Sequence, residues 1–125
     1  MALAIGIDVV NIERIARLSD AVRNRMFHPQ EIEDSLGLGE ERQAEFLAGR
    51  FAAKEALGKA LGTGLRNLRL QDIWVERGPY GEPVMRVQAK AEEMVAHRTI
   101  LLSISHDKPV AVAMVVLTGG SDGPF

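Results

Sequence analysis

The stretch from residue 41 to residue 61 constrains the fold of this chain more than any other segment. It is rich in alanine, leucine, glutamate and lysine, which favour the α-helix, and it stops at Gly62-Thr63-Gly64, a typical C-terminal cap. On a helical wheel with about 100° between successive residues, apolar side chains occupy two opposite sides of this helix. A helix that is apolar on two sides needs packing partners on both, so we expect it at the centre of the fold.

One acidic residue, Glu55, lies on an apolar side of this helix, among small residues such as Ala48 and Ala52. Burying an unpaired carboxylate there costs on the order of several kcal/mol, so a cation or a metal ion should meet it. Lys59 follows one helical turn later and could supply a structural ion pair. The alternative is that Glu55 belongs to a binding site.

A second carboxylate, Asp8, comes near the end of a strand predicted over residues 3–10. Alternation places it on the same face as Ala4 and Gly6, whose small size lets another backbone, a helix or a ligand approach closely. Two carboxylates from a strand end and a small-faced helix could hold a hard cation that completes its coordination with water or phosphate oxygens, a pattern typical of magnesium. By itself, Asp8 could equally cap the helix that begins near Asn11.

The rest of the chain alternates between helical and strand-like periodicity. Apolar spacing and turn residues predict helices over residues 12–26, 30–36 and about 88–97, and hairpins pairing 73–77 with 84–87 and 100–105 with 110–117. We find no internal repeat and no long linker, so we expect a single domain over residues 1–118 and a flexible C-terminal tail over residues 119–125. This order of elements predicts an α+β fold in which an antiparallel-rich sheet packs with the long central helix.

Composition excludes several classes of function. The 125 residues contain no cysteine, which rules out disulfides, a thiolate nucleophile and cysteine-ligated zinc. The three histidines are scattered, and the net charge of -2 gives no reason to expect nucleic acid as a partner. The longest apolar run, residues 110–117, is too short to span a membrane, and the opening MALAIGIDVV lacks the basic region of a signal peptide. We therefore expect a cytoplasmic protein without a membrane partner.

Two further features each allow a structural and a functional interpretation. His106 follows Ser105 in the second hairpin, where it is either a turn residue or a phosphate ligand, because a protonated imidazole donates from both nitrogens. Residues 14–25 contain four arginines and one acid, Asp20. The four are Arg14, Arg17, Arg23 and Arg25. This basic stretch is either a solvated helix face or a docking surface for an acidic protein.

Three groups of segments stand out when they are taken in chain order. They are Gly6-Ile7-Asp8-Val9-Val10 with Arg14-Ile15; Gly49-Arg50-Phe51-Ala52-Ala53-Lys54-Glu55-Ala56 with Lys59-Ala60 and Gly62-Thr63-Gly64; and Ser103-Ile104-Ser105-His106. Together they resemble the holo-[acyl-carrier-protein] synthases, the small group of the 4′-phosphopantetheinyl transferases, and the resemblance extends over residues 5–116. Gly81 and Pro83 also fit the family's hairpin. Glu82, where a basic residue is common, and the short Ser-His loop depart from the pattern in ways that bear on substrate fit.

The resemblance implies a 4′-phosphopantetheinyl transferase-like fold and a reaction. Coenzyme A gives its 4′-phosphopantetheine group to a serine of apo acyl carrier protein, leaving adenosine 3′,5′-bisphosphate, and the reaction needs Mg²⁺. Asp8 and Glu55 match the positions that hold the magnesium ion against the pyrophosphate. Lys59 matches the lysine that contacts the pyrophosphate and neutralises or protonates the leaving group. Either Glu55 or a metal-bound water takes the serine proton.

The resemblance also implies where the substrates bind. The residues that match positions near coenzyme A are Arg42, Arg50, Lys59, Gly64, Ser105 and His106. The residues that would meet the acidic recognition helix of the carrier protein are Arg14, Leu18, Arg23 and Arg25. The family works as a homotrimer with active sites between subunits, so the two carboxylates would act in one chain and the Ser-His hairpin in its neighbour. A rival hypothesis is a non-catalytic module that binds an acidic protein through the arginine-bearing first helix.

Overall fold

The computed structural model describes residues 3–119 of the chain. In chain order the elements are β1 (Leu3–Asn11), α1 (Ile12–Ala16), α2 (Asp20–Met26), α3 (Pro29–Ser35), α4 (Glu40–Leu61), a short 3-10 helix (Leu70–Asp72), β2 (Ile73–Arg77), β3 (Pro83–Val87), α5 (Ala89–Val95), β4 (Thr99–Asp107) and β5 (Val110–Thr118). The predicted strands, both hairpins and the long helix are confirmed to within a few residues. The predicted tail, apart from Gly119, lies outside the described residues.

The strands form two separate antiparallel sheets. β1, β5 and β4 make a three-stranded sheet with β5 in the middle, and β2 pairs only with β3 among the described residues. α4 packs on the inner face of the three-stranded sheet, to which β5 contributes the buried residues Ala111, Ala113, Val115 and Leu117. The predicted α+β class with a long central helix is confirmed.

β1 and α4 approach each other closely at Gly6. A Cβ atom at this position would collide with the carbonyl oxygen of Ala56 and would lie 2.7 Å from the amide nitrogen of Ala60. Glycine is therefore required here, because any side chain would push the strand away from the helix. Alternate residues of a strand share a face, so Asp8 is held beside α4 as well.

α4 is buried on both of its apolar sides. Ala48 and Ala52 on one side, and Ala53 and Leu57 on the other, are fully buried. Its packing partners include β1, β5, α1, α3 and β2, so the chain itself covers both sides. Within residues 3–119, none of the helices combines the length and the apolar character of a membrane span.

The prediction of one continuous helix over residues 12–26 is wrong, because the chain divides this segment into α1 and α2. Ser19 caps α2, and its hydroxyl accepts the amide N–H of Val22 at 3.2 Å. This local bond replaces a turn of helix and lets the chain change direction. The guanidinium of Arg23 donates to the carbonyl oxygen of Ile15 at 3.2 Å and ties the two short helices together.

A buried ion pair joins α3 to α4. Nζ of Lys54 lies 2.7 Å from Oε1 of Glu31, and neither side chain is exposed. The lysine also donates to the carbonyl oxygens of Met26 and Leu70, at 3.0 and 2.9 Å. Glu31 accepts the amide N–H of Val75 at 2.9 Å. Both charges of the pair are thus neutralised and hydrogen bonded, which is the condition under which a protein interior tolerates them.

The face of the three-stranded sheet that points away from α4 is apolar and exposed. We call it the outer sheet face, and its large exposed apolar residues are Leu3, Ile5, Ile7, Val9, Leu101 and Met114. These residues come from all three hydrogen-bonded strands, so they belong to one surface. An apolar patch of this kind typically marks an interaction surface.

We expect Lys54→Met to lower the free energy of unfolding by about 3–5 kcal/mol, because it leaves the buried Glu31 carboxylate without its cation. Urea denaturation followed by circular dichroism measures the change. Arg86→Met is the matched control, since it removes an exposed ion pair with Glu76 and should leave stability nearly unchanged. Losses of equal size in the two variants would show that the buried pair is not a special source of stability.

Candidate functional site

Asp8, Glu55 and Lys59 meet where β1 packs on α4, and we call these three residues the carboxylate cluster. Nζ of Lys59 lies 3.0 Å from Oδ1 of Asp8 and 3.0 Å from the carbonyl oxygen of Ile7. Glu55 lies one helical turn before Lys59, and the charges of both Asp8 and Lys59 act on it. Within residues 3–119, Lys59 forms its ion pair with Asp8, so the structural pair with Glu55 that the sequence allowed is not formed.

Glu55 carries a charge that the fold neutralises only in part. Partial burial and the neighbouring Asp8 carboxylate raise the pKa of Glu55 above its ordinary value, while Lys59 and Arg14 oppose them. Two neighbouring carboxylates repel each other when both are ionised, so a cation between them would stabilise the ionised pair.

The donor set of the carboxylate cluster fits a magnesium ion. Mg²⁺ prefers oxygen ligands and usually takes one or two carboxylates from a protein, keeping its other positions for water and phosphate oxygens. Asp8 and Glu55 supply two such carboxylates. Among the described residues, no group of three or more acidic, histidine or cysteine side chains forms a fuller cage. The cluster therefore suits an ion that is shared with a phosphorylated ligand.

A second group of predicted site residues lines a pocket of about 380 Å³. We call it the arginine pocket, and its charged or titratable lining residues are Arg42, Glu45, Arg50, Arg77 and His106. The structure thus brings together Arg42, Arg50 and His106, which the resemblance places near coenzyme A. Arg77 is an addition that sequence reasoning missed. It ends β2, and only the packing of the hairpin beside α4 brings it here, so no local pattern marks it.

Arg50 is the buried cation of the arginine pocket. Its guanidinium carbon lies 3.8 Å from the ring centroid of Phe46, and that of Arg77 lies 5.5 Å from the same centroid. Nε of Arg50 is buried and has no hydrogen-bond partner in the described part of the chain. Burial lowers the pKa of Arg50 to about 10, an effect that Glu31 opposes and Arg77 strengthens. A buried guanidinium with an unmet donor is suited to an anionic ligand.

His106 and Ser105 are neighbours on β4 and therefore point to opposite faces of the sheet. Nδ1 of His106 lies 3.5 Å from Oε2 of Glu45, on the side of the arginine pocket. Ser105 is exposed on the outer sheet face, the face that also carries Leu101. Within one chain, only His106 of the two reaches the arginine pocket, and the role of Ser105 stays a prediction.

Gly64 lies in the tight loop that follows α4. Its amide N–H donates to the carbonyl oxygen of Gly58 at 2.9 Å, and a Cβ atom at Gly58 would lie 2.8 Å from the carbonyl carbon of Gly64. Gly62 adopts the left-handed conformation that ends the helix. The capping role of this loop is therefore clear, and the contact of Gly64 with coenzyme A stays a prediction.

The residues predicted to bind the carrier protein differ in their exposure to solvent. Arg14 is exposed, and its guanidinium carbon lies 6.0 Å from the ring centroid of Phe51, beside the carboxylate cluster. Arg25 is also exposed. Arg23 is half-buried by its bond to α1, and Leu18 packs partly against the core. The surface that α1 and α2 offer is therefore centred on Arg14 and Arg25.

The carboxylate cluster and the arginine pocket lie on opposite sides of α4. Glu55 in the cluster follows Phe46 in the pocket by nine positions, which is about two and a half turns of helix and so reverses the facing direction. One chain alone therefore does not gather all of the predicted site residues into a single cavity.

Comparison with known proteins identifies the class to which this fold and these clusters belong. The family model of the 4′-phosphopantetheinyl transferase superfamily matches residues 4–114. The holo-[acyl-carrier-protein] synthase of Geobacillus kaustophilus is 46% identical over 94% of this chain and 89% of its own length. That of Treponema pallidum is 44% identical over 95% of this chain and 98% of its own.

A solved structure agrees with these relatives. The crystal structure of a holo-(acyl-carrier-protein) synthase from Bacillus anthracis in complex with CoA (3′,5′-ADP) matches with a TM-score of 0.81 at 39% identity, over 93% of this chain and 97% of that one. The present chain therefore belongs to the holo-[acyl-carrier-protein] synthase family of the 4′-phosphopantetheinyl transferase superfamily. The resemblance carried by the three sequence segments is confirmed, and so is the prediction of an enzyme over a non-catalytic module.

Glu55→Gln should stabilise the folded protein at pH 7 and do so less at pH 4. The folded state raises the pKa of Glu55, so ionisation of this carboxyl costs stability, and the cost appears as the pH rises above the ordinary value of 4.5. Thermal unfolding at both pH values in a buffer without divalent cations measures it, with the exposed Glu33→Gln as control. A lower melting temperature for Glu55→Gln at pH 7 would instead indicate a structural ion pair.

Proposed function

We propose that this protein transfers the 4′-phosphopantetheine group of coenzyme A to a serine hydroxyl of apo acyl carrier protein and releases adenosine 3′,5′-bisphosphate. The observation that carries the proposal is the meeting of Asp8, Glu55 and Lys59 in one cluster, in a chain of this family. The names of its relatives support the same substrate, and the Bacillus anthracis relative was crystallised with CoA (3′,5′-ADP).

The reaction breaks the phosphoanhydride bond of the pyrophosphate and forms a phosphoester bond to serine. The serine oxygen bonds to the phosphorus that carries the pantetheine group, and the bridging oxygen of the pyrophosphate leaves with the nucleotide. Lys59, whose side chain is 54% exposed, donates to that bridging oxygen and offsets its developing negative charge. Glu55, one helical turn before Lys59, is the protein carboxylate that would accept the serine proton.

Asp8 and Glu55 would hold the magnesium ion that we propose as the cofactor. When bound, the ion supplies Lewis acidity that neutralises charge on the pyrophosphate. Because the protein offers only these two carboxylates, phosphate oxygens would find open coordination positions. The exposed Nζ of Lys59, which pairs with Asp8 here, would turn toward the pyrophosphate in the substrate complex.

The opposite placement of the two groups on α4 favours active sites that are shared between subunits. The protein is a homotrimer in this proposal, and the arginine pocket of one subunit faces the carboxylate cluster of the next. The exposed apolar outer sheet face supports association, because such a surface is costly in water. In this arrangement Arg42, Arg50 and His106 of one subunit all contribute to the active site of its neighbour. The three equivalent heterologous contacts between subunits close into a ring.

The carrier protein docks on the surface formed by α1 and α2 in this proposal. Arg14 and Arg25 present positive charge to its acidic recognition helix, and the position of Arg14 beside the carboxylate cluster brings the target serine close to the reacting phosphorus. Leu18 and Arg23 shape the same surface from partly buried positions. The reaction takes place in the cytoplasm and supplies holo carrier protein for fatty acid biosynthesis.

Asp8→Asn and Glu55→Gln should each lower kcat by about 100-fold or more, because each removes a charge that faces the pyrophosphate site. Both substitutions keep the shape of the side chain, so the fold should persist. Intact-mass spectrometry of apo acyl carrier protein incubated with coenzyme A and Mg²⁺ measures turnover, and Glu33→Gln on the exposed side of α3 is the control. Lys59→Met should lower kcat more than it raises the KM for coenzyme A.

Two outcomes would contradict this assignment. Full turnover in folded Asp8→Asn and Glu55→Gln variants would remove both carboxylates from the chemistry. If the wild-type chain modified no apo carrier protein yet bound it, the binding module would replace the transferase as the function.

Mixed trimers test the sharing of active sites. Asp8→Ala and His106→Ala chains should each be poorly active alone and should regain activity when they are co-expressed or refolded together. With random mixing, about one interface in four joins an intact acid-bearing chain to an intact histidine-bearing chain, so recovery should approach a quarter of the wild-type activity. Subunit exchange is verified by native mass spectrometry. Activity no higher than the sum of the two parents in exchanged mixtures would place His106 in its own chain's site.

A further inference from the structure

An ion pair between Lys108 and Glu41 joins the second hairpin to the first turn of α4. We propose that Lys108 and Glu41 are positioning residues, which hold the second hairpin in the conformation that presents His106 to the active site. The inference rests on the proposed function, in which His106 contributes to the site of the neighbouring subunit. It adds two residues that belong neither to the carboxylate cluster nor to the lining of the arginine pocket.

The end of the second hairpin, residues 105–109, is exposed at every position, and we call it the hairpin tip. Ile104 and Ala111, the strand residues just behind it, pack on the core. The ladder hydrogen bonds of a hairpin fix its two strands to each other, but they do not fix the turn against a helix. The position of the hairpin tip relative to α4 therefore depends on polar contacts.

Ion pairs connect the hairpin tip to one side of α4. Lys108 pairs with Glu41, and Nδ1 of His106 lies 3.5 Å from Oε2 of Glu45. Glu41 and Glu45 are four positions apart, so they are neighbours on the same side of the helix. Because the two cations are also only two residues apart in the hairpin tip, the position of Lys108 bears directly on that of His106.

Of these two ion pairs, the one with Lys108 is permanent at neutral pH. Lysine and glutamate side chains are ordinarily ionised there, whereas His106 and Glu45 form an ion pair only when the imidazole is protonated. The Lys108 pair therefore holds the hairpin tip whether or not His106 is charged. His106 is left available to a ligand.

A backbone contact fixes the other side of the hairpin tip. The carbonyl oxygen of Pro109 accepts the amide N–H of Ile12, the first residue of α1, at 2.9 Å. Lys108 and Glu41 lie with these two residues around a groove of about 370 Å³ between α1 and the start of α4. The pair faces this groove and not the arginine pocket, so its effect on a ligand would act through the hairpin.

A direct effect of charge is the competing interpretation. Coenzyme A is an anion, so Lys108 would attract it from a distance and Glu41 would repel it. Neutralising the lysine would then weaken binding, and neutralising the glutamate would strengthen it. Positioning predicts instead that both substitutions weaken binding, because either one breaks the same pair. The direction of the effect at Glu41 therefore separates the two interpretations.

The test compares Lys108→Gln, Glu41→Gln and the double variant with the wild-type protein. Each single variant should raise the KM for coenzyme A by about 2- to 5-fold, the range that an exposed ion pair allows when it sets the fraction of correctly placed hairpins. The double variant should be no worse than either single variant, since the pair is already lost in each. The kcat should change little, because the carboxylate cluster is untouched.

Glu40→Gln is the matched control. It removes an exposed carboxylate from the same turn of α4, and within residues 3–119 Glu40 forms no ion pair. The KM of this variant should equal that of the wild-type protein. A lower KM in Glu41→Gln, or additive losses in the double variant, would overturn the proposal.

Hydrogen exchange followed by mass spectrometry measures the hairpin tip without any need for turnover. Amides of the tip should exchange about 2- to 5-fold faster in both single variants, no faster still in the double variant, and at the wild-type rate in Glu40→Gln. The melting temperature should not change, because an exposed pair contributes little to global stability. Faster exchange without a change in KM, or a general loss of stability, would overturn the positioning role.

Direct binding separates failure of this inference from failure of the proposed function. Calorimetry measures the affinity of each variant for adenosine 3′,5′-bisphosphate. If the wild-type protein modifies no carrier protein, yet both single variants bind this nucleotide about 2- to 5-fold more weakly, the inference stands and the transferase proposal fails. If turnover is normal and both single variants match Glu40→Gln, the transferase proposal stands and the inference fails.

Discussion

The close contact between β1 and α4 at Gly6 is the constraint on which the candidate site depends. The strand lies against the helix backbone with no side chain between them, and so Asp8, two residues later on the same face, reaches Lys59 at 3.0 Å and acts on Glu55. A side chain at position 6 would move the strand outward and separate these groups. The packing of the helix on the sheet therefore also brings the carboxylate cluster together.

Two adjacent residues of α4 show how the fold separates stability from function. Lys54 is fully buried, and its charge is balanced by Glu31 and by two carbonyl oxygens. Glu55, the next residue, faces another carboxylate and is only partly neutralised. The first arrangement rigidifies the junction of α3 and α4. The second leaves a repulsion between two carboxylates, which a bound cation would relieve. Arg50, buried with an unmet donor, repeats the second pattern on the opposite side of the same helix.

The sequence predicts those features that depend on local patterns and misses those that depend on tertiary packing. Periodicity and glycine caps are local, so they predict the strands, the hairpins, the long helix and the α+β class. The small residues around Asp8 and Glu55 predict their pairing. The break between α1 and α2 at Ser19 could not be predicted, because the apolar spacing of the sequence continues through it. The sequence also does not reveal the ion pair of Lys54 or the position of Arg77. Only tertiary packing brings Glu31 to Lys54 and places Arg77 in the arginine pocket.

A single strand, β1, contributes both to the outer sheet face and to the carboxylate cluster. Along β1, Gly6 and Asp8 face α4, whereas Ile5 and Ile7 are more than half exposed on the other side. A strand with apolar residues on its outward face and small residues on its inward face is typical of a position that is covered on both sides. In the proposed homotrimer, a neighbour that covers Ile7 packs on the face of β1 opposite to the one that carries Asp8. Among the described strands β1 lies at the edge of its sheet, so a subunit that removes this apolar surface from water would reach the carboxylate cluster only by extending past that edge.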